Sequence, residues 1–346
     1  MPGGILGNAS RLRWGLLYAF IACMFWSSLY VRTDFVAPYG TADLAIVRFS
    51  FSTLIAMLIL LARGGLRRIF NERTRGEWLL ASALGFLGFT GYYFFLATAI
   101  KYTSEVITVA IIAMISVVTL LVNNALYREF KWHVVAWPAL LGGAGVATIV
   151  WGQVQAGAFS FTDKGMKGLI GLAAALVALA MWSAYQVLNK RALIRFSAVS
   201  VEDWTLLTLI GGAIALPPLL AILPASPMSE EFTLYSQPLG PSTLPLLGWG
   251  LFLAIGASLL SLSSWNRAQK YLPPTLSGQS VVFLLPLVFA LGWYYGRFST
   301  NAFAMLTGIG LLFLSVGATI ILQHSPKWLP KSFRSNARRA SNADSV

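Results

Sequence analysis

The chain of 346 residues is 57% hydrophobic and 11% charged, with a mean hydropathy of +0.71. Soluble domains carry about 25% charged residues, so this composition excludes an ordinary water-facing surface and leaves one that faces lipid. The formal net charge of +13 would suggest nucleic acid in a soluble protein, but the basic residues sit in short loops and a tail between apolar runs. That placement points to orientation in a bilayer and to no nucleic-acid partner.

A spanning helix needs about 20 mostly apolar residues. Ten segments qualify: 14–33, 41–62, 78–99, 104–126, 132–151, 167–190, 203–223, 245–268, 275–295 and 302–323. Backbone polar groups must be paired inside lipid, and the segments lack the alternation of barrel strands, so helices are predicted throughout. Arg11 and Arg13 precede the first segment, which is longer than a signal-peptide core and is followed by no small-x-small site; it is predicted to be retained. Cys23, the single cysteine, lies in that segment and reads as a small buried apolar residue. Only Lys101-Tyr102-Thr103-Ser104-Glu105 separates segments three and four. The stretch 224–244, rich in Pro and Ser and holding Glu230 and Glu231, is predicted to be a mobile surface loop. The polar, basic tail 324–346 is predicted to be disordered and to anchor at the cytoplasmic face.

Placing the N-terminus in the cytoplasm leaves only Arg32, Arg48, Lys101, Lys164, Lys167 and Arg297, of 25 Lys and Arg residues, on the outer side. The positive-inside rule therefore predicts cytoplasmic N- and C-termini and an even number of spans.

The chain also repeats itself. Phe25-Trp26-Ser27-Ser28 matches Met181-Trp182-Ser183-Ala184, and Ala99-Ile100-Lys101-Tyr102 matches Ala268-Gln269-Lys270-Tyr271. Residues 14–151 and 167–323 each hold five helices. Five is odd, so the halves enter the membrane from opposite sides. The predicted fold class is an all-α integral membrane protein, ten transmembrane helices as two inverted five-helix repeats, with a substrate site near the midplane between them.

On these residues the chain resembles the drug/metabolite transporter superfamily, in its EamA-like ten-helix branch. The first half carries Trp26-Ser27, Arg48, Ala99-Ile100-Lys101-Tyr102-Thr103 and Arg128-Glu129; the second carries Trp182-Ser183, Trp265 with Ala268, Lys270-Tyr271-Leu272-Pro273-Pro274, and Pro286. It departs from the family where Arg297-Phe298 stands in place of an acid, and in the length of the 224–244 loop. The resemblance implies a secondary transporter or exporter of small metabolites with a central cavity, in a bacterial inner membrane.

Arg48 lies about 10 Å into its helix, where a charge is costly and faces protein or water. It either lines the cavity and meets a substrate carboxylate or a gating acid, or it snorkels, or it pairs with Asp34, Asp43 or Glu105. Glu105 is either a gate partner of Arg48 or an acid favoured by the helix dipole. Trp182, Gln186 and Asn189 share one helix face, as do Ser258, Ser261 and Trp265. Together with Trp26, Ser27, Tyr92, Tyr93, Gln279, Asn123 and Asn124 they suit a cavity that stacks on and hydrogen-bonds an organic solute, or they are interhelical glue. Glycines 85, 88, 91, 142, 143 and 145 suit close helix packing, and Pro286 predicts a kink that frees the carbonyl near Val282.

His133 and His324 are the only histidines, and no His/Cys cluster has metal-ligand spacing. No phosphate-binding loop and no catalytic set can be placed in the spans, so neither enzyme chemistry, nor ATP-driven pumping, nor a metal or other cofactor is expected. The expected function is export of small organic metabolites, amino acids or organic anions, by alternating access. The rival readings are a lipid flippase, a passive facilitator or a membrane assembly protein. The expected partners are a small-molecule substrate and the lipid bilayer, with the chain a monomer or homodimer.

Overall fold

The computed structural model describes residues 5–30, 36–63, 74–128, 130–157, 161–226, 229–234, 236, 240–295 and 301–323. Arg32, Asp34, Glu129, Arg297, Phe298, the basic residues of 64–73 and the tail 324–346 lie outside them. Among the described residues ten helices are long and apolar enough to cross a membrane: α1 (Ser10–Tyr30), α2 (Thr41–Ala62), α3 (Arg75–Tyr102), α4 (Glu105–Tyr127), α5 (Trp132–Gln155), α6 (Gly165–Arg195), α7 (Val201–Ala225), α8 (Thr243–Tyr271), α9 (Pro274–Tyr294) and α10 (Ala302–Leu322). Each falls within a few residues of the segment expected from the sequence. Short polar signals set the ends. Ser104 accepts from Ile107 N (3.2 Å) at the start of α4, and Ser200 accepts from Asp203 N (3.0 Å) at the start of α7. Thr74 and Glu77 form a capping box before α3.

The bundle presents large apolar side chains outward. Leu58, Trp137, Leu140, Leu176 and Leu314 are exposed, more apolar surface than a water-soluble monomer shows. Near helix ends, Trp132, Trp151, Trp293 and Tyr294 are exposed as well, as in the aromatic belts of membrane proteins.

Inside, α1 packs on α8, and α3 on α6. Helix α2 packs on α7 and α8, while α3 also packs on α7. Helix α4 also packs on α9, α5 on α10, α1 on α9 and α4 on α6. Every one of these pairs maps onto another of the set, or onto itself, when five is added to or taken from each helix number. The helix irregularities follow the same rule. A π turn over Phe86–Thr90 interrupts α3 and another over Ala254–Leu260 interrupts α8. Helix α4 breaks at Met114 and α9 tightens to a 3-10 turn over Ser280–Phe283. That turn lies just ahead of Pro286, which has no N–H for the Val282 carbonyl, so the expected kink takes this form.

Glycine permits the closest contacts. A Cβ at Gly308 would stand 2.5 Å from the Gly145 carbonyl oxygen, and one at Gly85 would stand 2.3 Å from Gly212 N. These fix α5 against α10 and α3 against α7. Gly143 faces open space and packs against nothing.

Part of the 224–244 loop, expected to be a mobile surface segment, is tied to the bundle at Thr233 and Leu234. Asp43, fully buried in the first turn of α2, accepts hydrogen bonds from Thr233 N (3.0 Å), Thr233 Oγ1 (2.8 Å), Leu234 N (2.9 Å) and Gly40 N (2.9 Å). A buried carboxylate requires such partners, and in taking them it pins Thr233 and Leu234 against the start of α2. Lys101 adds an ion pair to Glu230 at 2.8 Å.

Candidate functional site

Residues Leu44, Arg48, Ser52, Ala56 and Leu60 of α2 are buried at every fourth position, a single inward stripe. That register turns Arg48 into the bundle, where it is 3% exposed. Its Nε donates to Ser258 Oγ (2.9 Å) and its Nη2 to the Ala257 carbonyl oxygen (3.3 Å), while Nη1 has no partner. Both acceptors lie in the π turn of α8, a backbone form common at functional sites. The guanidinium carbon stands 4.9 Å from the Phe49 ring centre and 5.3 Å from that of Tyr93, within cation–π range.

Arg48 borders a narrow cavity. Trp26 and Tyr30 reach it from α1, Tyr92 and Tyr93 from α3, Ile112 from α4, Trp182 from α6, and Val281 and Leu284 from α9. Trp182 stands at its centre, 4.9 Å from Trp26, 4.7 Å from Tyr92 and 5.4 Å from Tyr185 between ring centres. The Nε1 of Trp182 is buried without a partner, like Nη1 of Arg48. Both are donors, and among the described residues no carboxylate lines the cavity. The cavity is therefore walled by aromatic faces and the Arg48 guanidinium, with two unmade donor bonds buried among the lining residues. This suits a solute with an aromatic or apolar body and an anionic acceptor.

Of the residues singled out in the sequence, Trp26, Arg48, Tyr92, Tyr93 and Trp182 meet here. The others stand elsewhere. Ser27 donates to the Met24 carbonyl (2.7 Å) and Ser261 to that of Ala257 (2.6 Å). Gln279 Nε2 reaches Ser315 Oγ at 3.4 Å, tying α9 to α10. Asn123 donates to the Pro274 carbonyl (2.8 Å), and Asn124 accepts from Phe130 N (2.9 Å). Glu105 does not line the cavity: it sits seven residues before Ile112 on α4, about 10 Å along the axis at 1.5 Å per residue. Asp43 is bonded to the strap described above. The sequence did not single out Tyr30, Phe89 or Leu96 as lining residues. Spacing from Trp26 (i+4) and from Tyr92 and Tyr93 (i−3, i+4 and i+3) would have found them.

Gln186 and Trp265 belong to a buried polar network beside the cavity. Gln186 Oε1 accepts from Trp265 Nε1 (3.0 Å) and Gln269 Nε2 (2.6 Å). Asn189 Nδ2 donates to Asn266 Oδ1 (2.7 Å) and Gln269 Oε1 (2.6 Å), while its Oδ1 accepts from Trp204 Nε1 (2.9 Å). Lys190 Nζ donates to the carbonyls of Gln269 and Leu272 at the end of α8, where a cation meets the negative helix terminus. This network locks α6, α7 and α8 together at the ends where α6 finishes and α7 begins.

The sequence profile of the EamA-like transporter family matches residues 13–153. Residues 13–153 are similar to an EamA-like transporter domain. The chain is also similar to inner membrane protein YtfF of Escherichia coli (strain K12), 28% identical over 324 residues, covering 90% of this chain and 96% of that one. A crystal structure is similar in fold over 90% of this chain and 97% of its own, with a TM-score of 0.65 at 21% identity. The ten apolar helices and the EamA-like match over residues 13–153 support a multi-pass membrane protein with a general role in transport.

Proposed function

We propose that the protein is a secondary transporter that exports small organic anions by alternating access through the Arg48 cavity. The observation that carries this reading is the unpartnered Nη1 of a guanidinium buried among aromatic rings. An unmade bond on a buried charged donor costs about 1–3 kcal/mol or more, and a substrate carboxylate or similar acceptor would complete it. The outward direction is part of this proposal and rests only on the resemblance to a family of transporters and exporters.

Alternating access rests on the inverted repeat. The exchange of helix contacts under a shift of five, the paired π turns of α3 and α8, and the paired breaks of α4 and α9 all support two halves of like structure and opposite orientation. The buried network on α6–α8 then acts as the closed cytoplasmic gate, and the cavity opens on the other side. The Lys and Arg distribution supports cytoplasmic termini.

The test compares extracellular organic acids, by negative-ion mass spectrometry, from cells that carry the wild-type protein, Arg48→Ala or neither. The reading predicts acids enriched outside only with the wild type. Equal profiles from wild type and a correctly inserted Arg48→Ala protein would discard it.

A further inference from the structure

A second narrow cleft lies between α2, α3 and α7. Ala45, Ile46, Ala97, Leu216, Leu219 and Leu223 form its walls. Helix α2 touches α3 only sparsely, and α7 breaks at Ile214–Ala215, before Pro217 and Pro218. Thr90 turns its hydroxyl from the cleft to the Gly212 carbonyl at 3.1 Å, and Ala45, Ile46 and Leu219 are only partly buried, which leaves the cleft open on its bilayer side.

The two cavities share one wall. Tyr93 lines both, and Phe49, which lines the cleft, packs edge-on against it at 6.0 Å. The guanidinium of Arg48 contacts both rings. A charged donor without a partner thus stands at the junction of the aromatic chamber and an apolar slot. We propose that this cleft is a tail subsite: the transported solute is a single-headed organic anion whose head meets Arg48 and whose aliphatic chain passes the Phe49–Tyr93 pair into the cleft. The assignment rests on the anion-transport reading above and adds the substrate class. The occupant is fixed by continuity with the cation: a neutral lipid tail would fill the slot without using Nη1, whereas an amphiphilic carboxylate uses both.

The test measures binding of acetate, butyrate, hexanoate and octanoate by calorimetry to the full-length protein in lipid nanodiscs. Burying a methylene in such a slot strengthens binding about fourfold. The wild type is expected to show that gradient from butyrate to octanoate. Ala97→Phe fills the cleft without touching the central chamber, so butyrate binds as before and the gradient flattens. Ala45→Leu, a smaller change, gives the same flattening and stands in if Ala97→Phe does not fold. Absence of the gradient in the wild type, or its survival in the folded cleft variants, overturns the tail subsite and leaves anion transport intact. Failure of every carboxylate to bind, with no difference between wild type and Arg48→Gln, is the distinct result that removes the anion reading itself.

Discussion

Arg48 Nε donates to Ser258 Oγ at 2.9 Å, joining α2 to the π turn of α8. The bond ties a helix of the first five to a helix of the second five at the wall of the cavity, so it senses their relative position. Ser258→Ala removes the acceptor and leaves a second guanidinium nitrogen unpaired, at a cost of about 1–3 kcal/mol. The thermal midpoint in detergent is expected to fall. Ser258→Thr keeps the hydroxyl and is expected to restore most of the loss.

Lysine cannot replace Arg48. It has one compact ammonium in place of a planar fork that serves Ser258, the Ala257 carbonyl and a substrate at once. Arg48→Lys is therefore expected to insert normally and to lose most solute flux. Flux near wild type from Arg48→Lys would mean that charge alone suffices.

The network around Asn189 is expected to hold the cytoplasmic side shut. Asn189→Ala strands Trp204 Nε1 and removes the donor to Asn266 and Gln269. The native Cys23 reports the result, because its thiol is buried against the Ser280 carbonyl at 3.9 Å, between α1 and α9. A maleimide is expected to label Cys23 slowly in the wild type and severalfold faster in Asn189→Ala. Unchanged labelling would detach the network from gating.

The strap has a pH signature. Glu230 is held below the ordinary carboxylate range by its hydrogen bond to Lys101 and then by that residue's charge. A depressed folded value means that the bridge contributes above the unfolded carboxylate value, about 4.3, and is lost as pH falls through the lower folded value. Hydrogen exchange of residues 229–236 is expected to speed up only in that acid range. In Asp43→Ala, which strands three backbone N–H groups, it is expected to be fast at every pH.

Helix number and span limits were legible because lipid imposes length and composition on every segment. The interruptions were not: Phe86–Thr90 and Ala254–Leu260 are as apolar as their neighbours, and only tertiary packing selects a π turn there. Pro286 was the exception, since a missing N–H is visible in the sequence. For the site, helical periodicity put Trp182, Gln186 and Asn189 on one face. It did not tell whether that face meets a cavity or another helix, and the face does both: Trp182 lines the chamber, while Gln186 and Asn189 bond α8. The loop at 224–244 looked mobile by composition. Its anchor, Asp43, lies some 190 residues away in sequence, where no local pattern reaches.

The central claim is that organic anions cross through the Arg48 chamber. Proteoliposomes loaded with hexanoate, phenylacetate and benzoate, and diluted into buffer containing one labelled acid, measure it most directly. The account predicts saturable counterflow of the labelled acid with the wild type and background rates with Arg48→Ala. Equal uptake by wild type, Arg48→Ala and empty liposomes, or wild-type flux that never saturates, would contradict it.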